Sequence, residues 1–326
     1  MAIIKPQYLL VTNQKDITSD FLVRELQRRE LPFYRLNTES LPEFQICALS
    51  NGDSMLLQND EVELEIGHIK SAYFRRPGLI EIDKRGNADA VAYRTTEWTY
   101  MLRSFYLELG PKWFSHPNDI LLGENKPGQL KLAQDLGFNV PEYVITNTIS
   151  DLHSLFEKGP VIAKPLSHNL LDEADEERVI FTVDAPSLKE IEDNGGLSQA
   201  PVIFQRRVEK LYDLRVTVVG KTIFTAQIDS QACAETRTDW RAGGDKLLGH
   251  RLVDIPLEIK NSCVALIEAM NIRYGAIDLI QDLDGRYWFL ECNPNGQWAW
   301  IENVTGAPIS KLIVDELISH GDSVCG

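Results

Sequence analysis

Two apolar stretches near the end of the chain, Tyr274–Gln281 and Arg286–Cys292, flank the dipeptide Asp284-Gly285. An Asp-Gly pair between two such stretches is a strong signal for a two-residue β-hairpin turn. A turn of this kind makes Leu283 and Arg286 the first cross-strand pair, and it fixes which residues face each other further along both strands. The sequence therefore predicts an antiparallel hairpin with a defined register.

This register places Asp278 directly opposite Glu291. Side chains that face each other across antiparallel strands lie about 5 Å apart, so two carboxylates there repel each other and destabilise the sheet. A divalent cation would remove that repulsion. Because side chains alternate along a strand, Asn293 falls on the same face as Glu291. Two carboxylates and an amide oxygen suit Mg²⁺ that shares its other positions with phosphate groups. The same predicted face carries four apolar residues, which argues against solvent-exposed edge carboxylates: Ala276, Ile280, Tyr287 and Phe289.

A magnesium site for phosphate groups also needs cationic side chains. Lys164 lies in the apolar stretch Val161–Pro165, where an unpaired ammonium would be costly, so an anionic ligand is the natural partner. Lys126 is a weaker candidate because it opens a predicted helix, where an ordinary surface lysine would fit equally well.

The length of 326 residues exceeds what one ordinary hydrophobic core supports, so we expect two or three packed modules. A strand at Tyr8–Thr12 followed by a helix near Thr18–Arg29 predicts an α/β unit at the beginning of the chain. Hairpins dominate from Val202 onward. The predicted division is an N-terminal α/β domain over 1–115, a central domain over 116–201 and a C-terminal antiparallel-sheet domain over 202–326. Within the central domain, the acidic stretch Asp172–Glu177 is predicted to be a mobile, solvated loop.

The net charge of −15 and the isoelectric point of about 4.9 oppose binding to nucleic acid or to an anionic membrane. No apolar run is long enough to span a bilayer, and the first residues carry no small-residue cleavage signal. We therefore expect a cytoplasmic location. The five cysteines form no CxxC pair and no zinc spacing, which favours free thiols over a disulfide framework.

Six short stretches, taken in order, resemble the ATP-grasp superfamily. They are Lys126, Ile162–Pro165, Gln205, Asp213–Arg215, Gly275–Asp278 and Glu291–Gly296. The resemblance implies an ATP-grasp fold of mixed α/β class, in which Asp278, Glu291 and Asn293 hold Mg²⁺. It also assigns the ATP contacts: Lys126 and Lys164 to the phosphates, Gln205, Arg206 and Val208 to an adenine hinge, and Asp213 to the ribose.

A narrower resemblance covers nearly the whole chain. Its motifs are Arg35–Thr38, Tyr73–Pro77, Asn125-Lys126, Gln129-Leu130, Asp239–Arg241 and Asn293–Trp298, and they resemble the microviridin-type peptide ligases, or graspetide synthetases. In that family, ATP phosphorylates an Asp or Glu side chain of a ribosomal precursor peptide. A Ser or Thr hydroxyl or a Lys amine then displaces phosphate, which closes a lactone or a lactam. The expected partner is thus a precursor peptide with a leader and an acidic core.

Within that chemistry, Arg215 and Arg241 could hold a carboxylate against the γ-phosphate, because guanidinium groups neutralise the charge that accumulates there. Asp239 could position Arg241 or accept a proton from the incoming hydroxyl or amine. The alternative for Asp239 and Arg241 is a surface salt bridge beside a buried Trp240. The loop after Lys164 lacks the glycine-rich flap of many ATP-grasp enzymes.

Two segments contain the residues predicted to bind the peptide. Related enzymes recognise a leader through the module between the second lysine and the hinge. Glu190 and Asp193 fall there on one face of a predicted helix, Ser187–Asn194. Arg75 and Arg76 could form a cleft wall or a structural cluster.

Two other functions remain open at this point. A free-standing ligase of amino acids or short peptides would use the same ATP and metal residues. A nucleotide-binding regulator without turnover would keep the nucleotide but not the chemistry. A homodimer is also left open.

Overall fold

The computed structural model describes residues 4–48, 54–167, 170–173, 176–179, 181–243 and 248–325. The chain divides into two compact units. Unit 1 comprises Met1–Ile120, Asn271–Tyr274 and Asn295–Gly326, and unit 2 comprises Leu121–Met270 and Gly275–Pro294. The predicted division into three segments stays a prediction.

The helices and strands are numbered in chain order. The helices are α1 (Ile17–Arg28), α2 (Ala88–Leu109), α3 (Pro117–Gly123), α4 (Lys126–Asp135), α5 (His153–Glu157), α6 (Leu188–Asn194), α7 (Leu257–Ala269), α8 (Ala299–Thr305) and α9 (Ile309–Cys325). The first strands are β1 (Tyr8–Thr12), β2 (Phe33–Asn37), β3 (Gln45–Cys47), β4 (Leu56–Gln58), β5 (Glu63–Glu65), β6 (Ser71–Phe74), β7 (Tyr143–Thr146), β8 (Val161–Lys164) and β9 (Leu170–Glu173). The remaining strands are β10 (Glu176–Val179), β11 (Val183–Asp184), β12 (Val202–Arg206), β13 (Lys210–Val219), β14 (Thr222–Ile228), β15 (His250–Val253), β16 (Tyr274–Asp282) and β17 (Tyr287–Asn293).

Unit 1 is built on a parallel sheet with the strand order β2-β1-β6. Parallel neighbours need a crossover, and α1 supplies it between β1 and β2. Asp16 begins this helix by accepting a hydrogen bond from the Ser19 N–H at 3.1 Å, and the helix buries Leu22 and Leu26. All five residues of the central strand β1 are buried. The predicted strand–helix unit is therefore present.

Unit 2 contains two larger sheets. In the first, with strand order β11-β8-β12-β7, strand β12 pairs antiparallel with both β7 and β8. The second has the order β15-β14-β13-β16-β17, in which β14 pairs antiparallel with β13 and β15. Strand β17 is thus an edge strand of the five-stranded sheet. Among the residues described, no helix is long and apolar enough to cross a membrane.

The described residues of the acidic stretch Asp172–Glu177 lie in strands and not in the loop that the sequence predicted. Strands β9 and β10 form an antiparallel ladder in which Asp172 pairs with Glu177. Ladder hydrogen bonds join backbone groups, so a low content of β-forming side chains does not prevent them. Residues 174 and 175, and residues 168 and 169 of the loop after Lys164, lie outside the described residues.

The turn between β16 and β17 is one residue longer than predicted. The Gly285 N–H donates to the Asp282 carbonyl at 3.1 Å, and the Asp282 N–H donates to the Arg286 carbonyl at 2.9 Å. Gly285 has φ of 82°, which completes a three-residue hairpin loop of the kind that ends in a left-handed residue. The Asp282 carboxylate supports this loop by accepting from the N–H groups of Asp284 and Arg286. The predicted two-residue turn is therefore wrong.

The longer loop shifts the register by one residue near the turn, so Leu279 pairs with Phe289 and Ile280 with Trp288. A β-bulge then inserts Leu290 as an extra residue and restores the predicted pairing of Asp278 with Glu291. Because of the longer loop, Phe289 lies opposite Leu279 and Tyr287 lies opposite Gln281, so neither shares the face of Asp278 as predicted.

The outer edge of β17 is covered by polar groups rather than by another strand. The Phe289 N–H donates to the Asn139 carbonyl at 2.8 Å, and the Asn139 side chain donates to the Tyr287 carbonyl at 3.0 Å. This coverage satisfies backbone groups that would otherwise stay unpaired at the edge of a sheet.

We expect Gly285→Ala to lower the free energy of unfolding by about 1 kcal/mol, because a side chain disfavours the left-handed backbone at this position. No neighbouring atom would clash with the added methyl group, since the nearest is 4.0 Å away. Urea denaturation followed by tryptophan fluorescence would measure the loss. Leu283→Ala, in the same exposed loop, is the control and should change little. Equal stability of Gly285→Ala and wild type would contradict the left-handed backbone at Gly285.

Candidate active site

The predicted metal-binding residues come together in unit 2, on the hairpin of β16 and β17. Asp278 and Glu291 are both buried and face each other across the two strands. The Asn293 Nδ2 lies 3.4 Å from Asp278 Oδ2 and 3.4 Å from Glu291 Oε1. One amide therefore contacts both carboxylates, as the alternation along β17 predicts.

Basic side chains from separate elements surround this pair. The Arg215 Nη1, on β13, donates to both oxygens of Asp278 at 2.7 and 2.8 Å. Glu291 is approached by Lys126 Nζ at 3.5 Å and by Arg241 Nη1 at 3.4 Å. Positive charge thus neutralises the two carboxylates directly, and the repulsion between them does not by itself require a metal ion. The expectation that a divalent cation is needed to remove this repulsion is therefore wrong.

The donor set nevertheless fits Mg²⁺. Two carboxylates converge on one amide, and an amide flip would present its oxygen in place of its nitrogen. Across the described residues, no group of three or more His, Cys, Asp or Glu side chains could hold a metal ion. The predicted set differs from such a group because its third member is Asn293, a neutral oxygen donor.

The two carboxylates differ in their electrostatic surroundings. Burial would raise the pKa of Glu291, but Arg241, Lys126 and Lys164 lower this pKa to about 2. Burial raises the pKa of Asp278 above its usual value, and Arg215 opposes that shift. Glu291 is therefore ionised throughout the physiological range of pH, whereas the charge on Asp278 depends on Arg215.

Lys164 ends strand β8 with a buried side chain. Its ammonium donates to the carbonyl of Leu290, the extra residue of the β-bulge, at 3.3 Å. Burial lowers the pKa of Lys164 to about 8, although the negative charge of Glu291 opposes that shift. Lys164 is therefore buried in its strand as predicted, and its contact with phosphate stays a prediction.

Lys126 lies at the beginning of α4, where Asn125 caps the helix by accepting from the Gly128 N–H at 2.8 Å. The Lys126 ammonium donates to the carbonyls of Pro165 and Ser167 at 3.1 and 3.2 Å. Lys126 thus links α4 both to Glu291 and to the loop after β8.

Asp239 and Arg241 form a two-point ion pair, with Nε–Oδ1 and Nη2–Oδ2 distances of 2.9 Å each. Asp239 also accepts from the Thr182 N–H at 3.1 Å. Burial would raise the pKa of Asp239, but the hydrogen bonds from Arg241 lower it below its usual value. Both oxygens are engaged and the group is weakly basic, so the geometry favours Asp239 as a partner that orients Arg241 over Asp239 as a proton acceptor.

The predicted adenine hinge begins in the last two residues of β12, Gln205 and Arg206, and continues to Val208. Gln205 is fully buried, and its Oε1 accepts no hydrogen bond from the described residues. The Arg206 N–H is bonded to the Glu142 carbonyl at 2.8 Å, whereas the Val208 N–H makes no backbone hydrogen bond in the described part of the chain. Val208 can therefore present its backbone to a ligand without breaking an existing bond.

Asp213, the predicted ribose partner, is buried in a local polar cluster. Lys210 Nζ approaches its Oδ2 at 2.8 Å, and the Ser230 hydroxyl donates to the same carboxylate. Burial raises the pKa of Asp213. The ribose assignment stays a prediction, and these contacts give Asp213 a structural role that the sequence did not reveal.

Glu190 also has a local role. It forms a capping box with Ser187 at the beginning of α6, in which its carboxylate accepts from the Ser187 N–H at 2.9 Å. Asp193 lies one turn further along the same helix and is exposed. Leader binding by these two residues stays a prediction.

In unit 1, Arg75 is fully buried against Asp16, with an Nε–Oδ2 distance of 3.0 Å. Its Nη1 donates to the carbonyls of Asn295 and Gly296, both at 3.0 Å. This burial favours the structural cluster over a cleft wall for Arg75. Arg76 is exposed and has φ of 43°.

Sequence reasoning missed two groups that contact the site residues through the backbone. The Leu290 carbonyl binds Lys164, and the Thr182 N–H binds Asp239. Backbone groups carry no residue-type signal, so only the bulge geometry could have revealed the first of them.

A scan against protein-family models finds no match, and a search of the curated proteins finds none either. Solved structures do match. A RiPP-associated ATP-grasp ligase from Chryseobacterium gregarium, in complex with ADP and a leader and core peptide, has a TM-score of 0.87 and 26% identity. The match covers 96% of this chain and 97% of that chain. The macrocyclase MdnC from Microcystis aeruginosa MRC, bound with precursor peptide MdnA, has a TM-score of 0.82 and 26% identity, covering 96% and 99%.

A third solved structure is that of the ATP-grasp ligase PsnB complexed with a phosphomimetic variant of its minimal precursor, Mg and ADP. It has a TM-score of 0.76 and 22% identity, and the match covers 97% of this chain and 98% of PsnB. At this identity, the likeness concerns the fold alone.

The predicted contact of Lys164 with phosphate implies that nucleotide affinity depends on pH. A bound phosphate favours the ammonium form, and the pKa of about 8 means that the free protein loses this proton as the pH rises past about 8. We therefore expect the affinity for ADP with Mg²⁺ to fall as the pH rises above that value. Calorimetry between about pH 6.5 and about pH 9.5 would measure the fall.

The matched control is Lys164→Arg, because a guanidinium stays charged across this range. Its affinity should be nearly constant with pH. A wild-type affinity that is as constant as that of Lys164→Arg would show that Lys164 does not contact the phosphates.

Three observations point to the same family of folds. They are the order of the elements, the buried hairpin that carries the carboxylates, and the match to solved ligases over nearly their whole length. They confirm the resemblance that the motifs predicted. The chain has the ATP-grasp fold, and over nearly its whole length it resembles RiPP-associated ATP-grasp ligases and macrocyclases.

Proposed function

We propose that this chain is an ATP-dependent ligase that joins side chains of a ribosomal precursor peptide into lactone or lactam rings. The observation that carries this proposal is the convergence of basic side chains on two opposed carboxylates in unit 2. The likeness to a ligase described with ADP, a leader and a core peptide supports the choice of substrate.

The charges of the cluster suit an anionic nucleotide. Four basic side chains and three carboxylates make up the cluster: Lys126, Lys164, Arg215, Arg241, Asp239, Asp278 and Glu291. One positive charge is thus in excess. Asp278, Glu291 and Asn293 would hold Mg²⁺, which supplies charge neutralisation at the phosphates when it is bound. Lys126 and Lys164 would contact the phosphate oxygens.

The chemistry has two steps. An oxygen of a peptide Asp or Glu carboxylate attacks the γ-phosphorus, and ADP leaves. The resulting acyl phosphate is attacked at its carbon by a Ser or Thr hydroxyl or a Lys amine, and phosphate leaves as the nucleophile loses its proton. The first step brings like charges together, so its barrier falls when cationic groups hold both reactants.

Arg241 is the better placed of the two arginines to hold the peptide carboxylate. Its side chain is 30% exposed, whereas that of Arg215 is 8% exposed and engages both oxygens of Asp278. We assign Arg241 to the substrate carboxylate and Arg215 to the charge and orientation of Asp278. Asp239 would orient Arg241. A group other than Asp239 would then accept the proton that the attacking hydroxyl or amine loses.

Other residues would bind adenine and the leader peptide. The hinge at Gln205, Arg206 and Val208 would bind adenine, with the Val208 backbone as the available polar group. Glu190 and Asp193 would contribute to leader binding. The partner is a precursor peptide, and a homodimer stays a prediction.

Asp278→Ala and Glu291→Ala should each abolish ring closure, because either change removes a predicted metal ligand and leaves a basic neighbour without its partner. Mass spectrometry would follow a co-expressed peptide that is encoded beside this gene and has an acidic, Ser/Thr-rich core, since each ring closed loses one water. Asp135→Ala, which removes an exposed carboxylate on α4, is the control for expression and should keep ring closure. Full activity of both variants would refute the metal assignment.

Arg241→Ala should stop ring closure while ADP with Mg²⁺ still binds within a few-fold of wild type. The physical reason is that Arg241 would contact the peptide carboxylate and not the nucleotide. Calorimetry with ADP and mass spectrometry of the peptide would separate the two effects. Asp239→Asn should reduce ring closure less than Arg241→Ala, because one hydrogen bond to Arg241 remains. A large loss of ADP affinity in Arg241→Ala would instead place Arg241 at the nucleotide.

A further inference from the structure

Gln129 lies on α4 and makes three hydrogen bonds with its buried side-chain amide. Its Oε1 accepts from the Cys292 N–H at 2.8 Å, and its Nε2 donates to the Cys292 carbonyl at 2.7 Å. The same Nε2 donates to the Gly123 carbonyl at 2.5 Å. Both N–H bonds of the amide and one lone pair of its oxygen are therefore used.

Cys292 is the residue between Glu291 and Asn293, two of the predicted metal ligands. It lies on β17, whose outer edge has no neighbouring strand within the described ranges. The Gln129 amide offers one acceptor and one donor to a single residue, which is what the backbone of an adjacent strand would offer. One side chain thus replaces the missing strand at the point where the metal ligands lie.

Lys126 lies one helical turn before Gln129 on α4 and approaches Glu291 at 3.5 Å. Helix α4 is therefore attached to β17 at two adjacent residues, through Lys126 to the Glu291 side chain and through Gln129 to the Cys292 backbone. Two attachments one turn apart fix both the distance between α4 and β17 and the rotation of α4 about its axis.

We propose that Gln129 is a positioning residue that sets the affinity for Mg²⁺ by holding the segment Glu291–Asn293 in register with Lys126. This inference rests on the proposed function, since it takes Glu291 and Asn293 as metal ligands and Lys126 as a phosphate contact. Side chains that orient metal ligands typically change metal affinity by about tenfold or more when they are removed. Gln129 touches no reacting atom and acts through the strand.

The test compares Gln129→Met, which keeps the length of the side chain but makes none of the three hydrogen bonds, with Leu130→Ala. Leu130 is the next residue on α4 and is equally buried. The affinity for ADP is measured by calorimetry at a series of Mg²⁺ concentrations. We expect the Mg²⁺ concentration for half-maximal ADP affinity to rise about tenfold in Gln129→Met. Leu130→Ala should lower the melting temperature and leave that concentration within about twofold.

Hydrogen exchange of the backbone gives a readout that needs neither metal nor turnover. The Cys292 N–H should exchange faster in Gln129→Met than in wild type, because its acceptor is lost. Exchange of Cys292 at the wild-type rate, or an equal Mg²⁺ shift in both variants, would overturn the proposal.

If Gln129→Met does not fold, hydrogen exchange of the wild-type protein tests the proposal instead. Addition of ADP and Mg²⁺ should slow the exchange of Cys292 and of the first turn of α4 together. Slowing of one without the other would contradict the coupling. None of these measurements uses a peptide, so absence of ring closure in wild type would refute the proposed function without deciding the role of Gln129.

Discussion

Two carboxylates that face each other in a buried hairpin are tolerated only because positive charge surrounds them. Arg215 engages Asp278, and Lys126 and Arg241 approach Glu291. These basic residues come from β13, from α4 and from the turn Trp240–Gly243. Ion pairs with these two carboxylates thus hold separate elements of unit 2 together. A nucleotide with its metal ion would exchange these ion pairs for others of the same kind, so ligand binding there replaces contacts more than it adds them.

The hairpin shows how far pattern can predict a fold. Asp284-Gly285 correctly indicated a turn between two strands, and the pairing of Asp278 with Glu291 is confirmed. The predicted turn was nevertheless one residue too short. The pairing of Asp278 with Glu291 is correct only because the extra residue of the bulge, Leu290, compensates for the longer loop. An Asp-Gly pair is compatible with both loop lengths, and the support from Asp282 depends on the three-dimensional turn. Strands β9 and β10 were missed for a related reason, since strand prediction relies on apolar side chains and carboxylates dominate the stretch Asp172–Glu177 between their outer ends.

The candidate site was predictable where several residue types occur in a fixed order along the chain. Lys126, Lys164, Asp278 and Glu291 come together as expected, although 165 positions separate the first from the last. The sequence could not reveal which polar side chains already form hydrogen bonds or ion pairs with nearby residues. Glu190 caps its own helix, and Asp213 binds Lys210 and Ser230, because local partners of this kind depend on packing.

The covered edge of β17 also limits how a peptide could be recognised. Many proteins bind an extended peptide by adding it as a further strand to an exposed sheet edge, where main-chain hydrogen bonds hold any sequence. Along β17 those positions are taken: Asn139 binds the backbone near the turn, Lys164 binds the bulge, and Gln129 binds Cys292. A peptide that reaches this hairpin therefore cannot pair with these backbone groups without displacing their present partners, which favours recognition through its side chains. Such recognition selects for chemical groups, which suits an enzyme that has to distinguish one carboxylate from another along the same chain.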